Sequence, residues 1–272
     1  MNTGCRRRSR LASPNKMPRV VHKLLRGVRR LARPGLTLLY PTRCACCDVE
    51  LPETHATLPL CRRCQTDLGP DTWTGCPRCG VPGEEVVSEE GCKQCRKTPL
   101  EMGMTVPLGV YEDHLRAVVL RMKRPNGDSL SASVGKLFAR RRHAELQGLG
   151  ADFLVPVPMF WSRRLRRGTN SSEIIAQSVA VHLRIPVRGR MLVRCRNTLP
   201  QKNLTPRQRI SNVRGAFRIR PSRHLAGARV LLVDDILTTG ATCSEAARTL
   251  KRAGAAMVAA VVVARTTRTT SR

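Results

Sequence analysis

The sequence predicts an α/β protein, a mostly parallel sheet with helices on both faces, preceded by a small cysteine-rich module. Three observations predict it. Eight of the twelve cysteines fall into four Cys-x-x-Cys pairs between Cys44 and Cys95. Beyond residue 100, short apolar runs alternate with helical periodicities, the order of elements that builds a parallel sheet. One such run, Arg229 to Val233, leads into Asp234, Asp235, a Thr/Gly loop and then a helical pattern, and open α/β sheets bind their ligands at such carboxyl ends of strands.

The 272 residues allow one large domain or two ordinary ones. With 49 Lys+Arg against 19 Asp+Glu the formal charge is +30, which implies an anionic partner. No stretch reaches the roughly 18 to 20 unbroken apolar residues of a membrane-spanning helix. The opening Met-Asn-Thr-Gly-Cys-Arg-Arg-Arg is not followed by the apolar run of a secretory signal, so a cytoplasmic protein is expected.

Four segments are expected. Residues 1–35 read as a basic, partly disordered extension; Val21, Leu24, Leu25, Val28 and Leu31 recur at helical steps within it, a face for packing on the next domain or for a membrane surface or nucleic acid. Residues 36–100 form the cysteine module, 101–266 the α/β domain and 267–272 a tail.

The pairs in the module are Cys44/Cys47, Cys61/Cys64, Cys76/Cys79 and Cys92/Cys95. A two-residue spacer lets both thiolates of a tight turn face one ion, and two pairs complete a tetrahedral zinc site. Eight ligands make two such sites, joined sequentially or crosswise. Full thiolate ligation leaves no open position for a water, so the zinc is structural. Unligated thiols or a redox dithiol would not require four pairs at near-regular intervals; an iron–sulfur cluster is the other metal reading of the same ligands. The module shows no sustained period, and zinc, which contributes on the order of 10 kcal/mol, has to hold it together. Cys46 is a spare ligand within the first pair, His55 a loop residue, and Cys5, Cys195 and Cys243 ordinary small residues.

In the α/β domain, strands are expected over Val106 to Tyr111, Phe153 to Val157, Arg229 to Val233 and Met257 to Val263. Helices are expected over His114 to Met122, with Leu115, Val118, Val119 and Met122 on one face, and over Ile174 to Leu183 and Ser244 to Ala253. The loop Thr238, Thr239, Gly240, Ala241, Thr242 opens the last of these, where helix amides and the positive dipole end favour a phosphate and Gly240 lets the backbone approach it. Asp234 and Asp235 can accept from a sugar cis-diol and contact a hydrated Mg ion. Thr242 and Glu245 also fit a capping box, which explains neither aspartate.

Val233-Asp234-Asp235-Ile236-Leu237-Thr238-Thr239-Gly240-Ala241-Thr242 resembles the phosphoribosyl pyrophosphate (PRPP) motif of type I phosphoribosyltransferases. From about residue 36 the chain is similar to the ComF family, in which a cysteine-rich zinc segment precedes such a domain. Val155-Pro156-Val157-Pro158 matches it, as do the Arg163 to Asn170 stretch ending Arg167-Gly168-Thr169-Asn170 and the residues Gln201, Leu204, Arg207, Asn212-Val213 and Gly215-Ala216-Phe217. The family's aromatic-Asn-Gln after Arg-Gly is replaced here by Thr169-Asn170-Ser171. The resemblance implies a type I phosphoribosyltransferase fold. It implies that Asp234 and Asp235, the catalytic candidates, bind the ribose hydroxyls, and that Thr238 to Thr242 hold the 5-phosphate. It places Pro156, Val157, Arg163, Arg164 and Arg167 near the pyrophosphate. The reaction implied is displacement of pyrophosphate from C1 of PRPP by an acceptor, with a link to competence and DNA uptake. The alternative it leaves open is a non-catalytic nucleic-acid-handling protein that keeps the pocket as a PRPP sensor.

Between Glu173 and Asp234 lie thirteen basic residues and no acidic one. Lys202, Arg207 and Arg209, in a polar loop, are candidates to clamp PRPP. The surplus suits a nucleic-acid backbone or a solvated face. Phe153, Phe160, Trp161 and Phe217 are the only aromatics after residue 150, too few for a sequence-reading single-strand binder.

Overall fold

In chain order the elements are α1 (Arg62–Asp67), α2 (Lys93–Lys97), β1 (Met104–Val110), α3 (Asp113–Met122), α4 (Asp128–Arg141), α5 (His143–Gly148), β2 (Phe153–Pro156), α6 (Trp161–Arg167), α7 (Ser171–Leu183), β3 (Leu192–Arg194), α8 (Pro206–Val213), β4 (Phe217–Ile219), β5 (Arg229–Leu237), α9 (Ala241–Arg252) and β6 (Met257–Arg265). The computed structural model describes residues 41–52, 57–83, 91–97, 100–199, 204–220 and 225–267, and those from Arg43 onward form one compact unit. The amphipathic pattern over 20–31, His55, Lys202 and residues 268–272 lie outside the described residues. Among the described residues no helix is long and apolar enough to cross a membrane.

The central sheet runs β1-β6-β5-β2, every pair parallel. Side chains alternate between two cores because both faces are covered. Leu231 and Val233 of β5 and Ala259, Val261 and Val263 of β6 join the helices α3, α4, α5 and α7 on one face. Val230, Leu232, Val258, Ala260 and Val262 join α9 and the small antiparallel pair β3-β4 on the other. This is why the strands read as unbroken apolar runs rather than alternating ones. The α3 face is the expected one, with Leu115, Val118, Val119 and Met122 buried. Strand β5 runs four residues past the expected end, since β6 pairs with it as far as Leu237↔Arg265. Asp234 and Asp235 therefore lie within the strand and not after it.

The cysteine segment departs from the expectation of a module without a core. Leu58, Leu60 and Leu68 sink into the α3/α4/α7 core together with Cys44 and Cys64, while Cys76, Cys79, Cys92 and Cys95 join the opposite core. Its two halves thus straddle β1, the edge strand of the sheet. Backbones meet there: a Cβ on Gly69 would lie 2.4 Å from Leu108 O, and one on Gly109 would lie 2.7 Å from Leu68 O. Arg142, fully buried, donates to Pro107 O (2.9 Å) and Leu108 O (2.9 Å) of β1 and to Pro70 O (3.0 Å) and Asp71 O (2.6 Å) of the cysteine segment. Thr105 N–H donates to Pro77 O (2.8 Å).

Candidate functional site

Three elements converge on the Asp234–Asp235 pair. Asn170 caps α7: its Oδ1 accepts from Ser172 N–H (3.3 Å), while its Nδ2 donates to Val157 O (3.1 Å) at the end of β2. That double bond fixes the first turn of α7 against the sheet. Ser172 Oγ then donates to Asp234 Oδ1 (3.1 Å), and Ser171 Oγ to Asp235 Oδ2 (3.0 Å). From the other side Lys123, just past α3, places Nζ 3.0 Å from Asp235 Oδ2. Thr169 Oγ1 donates to Asp128 Oδ1 (2.7 Å), closing the turn that follows Lys123 onto the start of α7.

Asp234 is the recessed member. It also accepts from Asp235 N–H (2.9 Å) and faces the Cys243 thiol at 3.7 Å. Burial, then the neighbouring Asp235 carboxylate, push its pKa up to about 7. The Cys243 thiol is pushed up by burial and by Asp234, and stays protonated; Cys243 is the core residue expected, and it also lies beneath Asp234.

The Thr238 to Thr242 loop follows directly. Gly240 holds φ +79° at the N-cap of α9, a left-handed conformation that favours glycine. A Cβ there would lie 2.6 Å from Leu100 Cδ2, so the glycine also makes room for the chain entering β1. Thr239 Oγ1 accepts from Ala241 N–H (3.4 Å). The expected Thr242–Glu245 capping box does not form, because the helix starts earlier, at Ala241. Glu245 reaches outward to accept from Gly215 N–H (2.7 Å) and to pair with Arg248.

The basic side is assembled from α6 and β3. Arg163 donates to Thr198 O (2.5 Å) and Arg194 to Thr198 Oγ1, so two guanidinium groups converge on one threonine. Arg194 lies over the Phe217 ring, 5.4 Å from its centroid, and its buried Nε has no hydrogen-bond partner. Burial and then Arg163 lower its pKa to about 10, against the opposing pull of Asp234. Like charges held together are stabilised by an anion. Of the expected pyrophosphate-side residues, Pro156 ends β2 and Val157 follows it, its N–H donating to Val233 O (2.8 Å). Arg163 takes part in the convergence. Arg164 is turned to Glu173 Oε1 (2.6 Å), and Arg207 is exposed on α8. Arg209 donates to Leu204 O (3.0 Å), and the Arg167 side chain lies outside the described residues. Ser171, Ser172, Lys123 and Arg194 are missed by the sequence reading.

The cysteines form two clusters, Cys44/Cys47/Cys61/Cys64 and Cys76/Cys79/Cys92/Cys95, so the pairing is sequential. Sγ separations are 3.7 Å for Cys47–Cys61 and Cys76–Cys95, 3.5 Å for Cys79–Cys92 and 3.9 Å for Cys92–Cys95. Zinc–sulfur bonds of about 2.3 Å give a tetrahedron with edges of about 3.8 Å, and the clusters fit it. Burial raises the Cys44 and Cys76 thiols, but backbone N–H donors to each outweigh it and bring both to about 7, close to release of the proton to a metal. Cys46 is turned to His114 Nε2 (3.2 Å) and is not one of the four first-cluster ligands.

Fold and clusters together define a phosphoribosyltransferase-type α/β domain fronted by a double zinc ribbon with structural zinc. The comparisons agree: a phosphoribosyl transferase domain model matches residues 153–272 and a double zinc ribbon model residues 35–96. The DNA utilization protein YhgH of Escherichia coli (strain K12) is 30% identical over 234 residues, 84% of this chain and 99% of its own. Competence protein F of Haemophilus influenzae is 29% identical over 72% of this chain and 85% of its own, and competence protein ComFC of Bacillus subtilis 25% identical over 72% and 80%. The chain belongs to the ComF family.

Elemental analysis of purified protein should find two zinc ions per chain and one after Cys61→Ser. Because the first cluster is embedded in the main core, that variant should also melt at a lower temperature; zinc absent from the wild-type protein would refute the assignment. A second expectation follows from Asp234, which titrates near 3.8 in the unfolded chain and near 7 in the native one. Between these values the native state holds a proton that the unfolded chain has lost. The stability this carboxyl contributes is complete below about pH 4 and lost as pH rises through 7. Chemical denaturation should show Asp234→Asn gaining on the wild type from pH 4 to pH 7 and no further above it. A difference independent of pH contradicts the recessed site.

Proposed function

We propose that this site binds PRPP with Mg and transfers its phosphoribosyl group to an acceptor with release of pyrophosphate, in the service of DNA handling. The observation that carries the reading is the adjacency, along one strand and loop, of a carboxylate pair and a Thr-Thr-Gly-Ala-Thr turn, opposite two converging arginines. A ribose diol donates to Asp234 and Asp235 in place of the Ser172 and Ser171 hydroxyls, and ligand hydroxyls favour the ionised form of Asp234. The loop hydroxyls and the first-turn amides of α9 take the 5-phosphate. Arg163 and Arg194 take the pyrophosphate. The two carboxylates offer the hard oxygen donors that magnesium prefers, and magnesium supplies charge neutralisation at the phosphates. At C1 the bond to pyrophosphate oxygen breaks with its electron pair leaving on pyrophosphate, and the acceptor's lone pair forms the new bond as the acceptor gives up a proton. Positioning and charge do this work, and no side-chain nucleophile is needed.

A second reading has its own support. Ser171, Ser172 and Lys123 already satisfy the carboxylates, and the relatives are named for competence and DNA utilization. In it the protein senses PRPP without turnover and handles nucleic acid through its basic surface.

Isothermal titration with PRPP and Mg tests both. Asp234→Asn or Asp235→Asn should weaken binding about tenfold to a hundredfold, the worth of a charged hydrogen bond of about 1.5–3 kcal/mol. Wild-type affinity in both variants would sink the pocket. Pyrophosphate release across a panel of bases, amines and nucleotides marks the transferase; tight binding with PRPP recovered intact marks the sensor.

A further inference from the structure

Arg265 ends β6, 2% exposed, with its guanidinium between the second cysteine cluster and the loop read above as the phosphate site. Nε donates to Cys79 O (2.7 Å), and Nη1 lies within reach of Leu237 O (3.1 Å), Thr238 O (2.6 Å) and Thr266 O (2.8 Å). Through its bond to Cys79 O the guanidinium is seated against this buried cluster. Four thiolates on one zinc carry a net double negative charge. All four ligands of this cluster are buried, whereas Cys47 and Cys61 of the first are accessible. A buried charge requires a partner, and Arg265 is that partner while its Nη1 holds Thr238 O, the first carbonyl of the loop, with Leu237 O of β5 and Thr266 O beside it. Two neighbouring contacts run the same way: Glu101 N–H donates to Ser244 Oγ (2.9 Å), and Leu100 fills the space over Gly240.

We propose that Arg265 is a positioning residue through which the second zinc cluster, and not the first, holds the Thr238–Thr242 loop in its binding conformation. The inference rests on the PRPP reading for its ligand but not for its geometry. Arg142 supplies the comparison: it is equally buried and also donates to four backbone carbonyls, all of them at the β1 edge away from the loop.

The full-length chain is tested as wild type, Arg265→Met, Arg265→Lys, Arg142→Met, Cys92→Ser and Cys47→Ser, by zinc content, by amide hydrogen exchange of peptides spanning 236–244 and by titration with PRPP and Mg. Arg265→Met and Cys92→Ser should speed loop exchange at least tenfold and weaken PRPP at least tenfold. Arg265→Lys, which keeps the charge without the fork, should recover part of both. Arg142→Met and Cys47→Ser should lower the melting temperature while leaving loop exchange and PRPP affinity within twofold of wild type. Wild-type loop exchange in folded Arg265→Met and Cys92→Ser overturns the proposal, as does an equal effect of Arg142→Met. If Arg265→Met does not fold, Arg265→Lys decides by the same exchange readout. A wild-type chain that does not bind PRPP defeats the ligand reading alone, because the exchange comparison is made without ligand.

Discussion

A parallel sheet with an uncovered edge leaves a row of backbone carbonyls without partners, and β1 is such an edge. Its carbonyls at Pro107 and Leu108 are taken by the Arg142 guanidinium, which takes Pro70 and Asp71 with its remaining donors. Burying a guanidinium is costly unless every donor finds an acceptor, so the ribbon backbone and the strand have to hold their places together. The close approach at Gly69 and Gly109 depends on this register, and so does the seating of Leu60 and Leu68. The zinc ribbons are thus built into the protein as covers on the two faces beside β1. Metal ligation fixes the shape of each ribbon, while the arginines and leucines fix where it sits.

This dependence explains which parts of the fold are legible in the sequence. Strands buried on both faces are unbroken apolar runs, and β2, β5 and β6 read plainly. Helix α3 reads plainly because its apolar side chains sit on one face. Helix α4 does not, although it is the longest among the described residues. Its buried face includes Ser131, Ser133 and Gly135. Ser131 and Ser133 donate to carbonyls one turn back at 2.8 Å each, which hides their polarity inside the helix. Gly135 allows α7 to approach so closely that a Cβ would lie 2.8 Å from the Ser178 side chain. The apolar period is present in Leu130, Val134, Leu137 and Phe138, but the buried small and polar residues between them dilute it. The arginines mislead in the other direction: a count of charges assigns Arg142 and Arg265 to solvated faces, and the fold buries both.

The candidate site divides along the same line. Strand, carboxylate pair and loop are contiguous, so one stretch of sequence carries them. Lys123, Ser171, Ser172 and Arg194 reach the site from three separate elements, and no spacing rule connects residue 123 to residue 235. One signal was available, since the departure from the family pattern at Thr169-Asn170-Ser171 falls where side chains face the carboxylates.

Electrostatics gives these scattered contributions a common sense. On one side of the site, burial and then the adjacent Asp235 carboxylate raise the Asp234 pKa to about 7. On the other, Arg163 and Arg194 crowd together, and Arg194 gives up part of its basicity. Each side carries like charges, and the pull between Asp234 and Arg194 relieves them only in part, both arginines being turned to Thr198. A neutral molecule would leave the arginines without a counter-charge. A ligand with hydroxyl donors at one end and an anionic group at the other relieves both at once, and it does so only when the carboxylate strand and the arginines are held in register. That register is set by the order of the sheet, in which β5 carries the carboxylates beside β2, and α6 with Arg163 follows β2 directly.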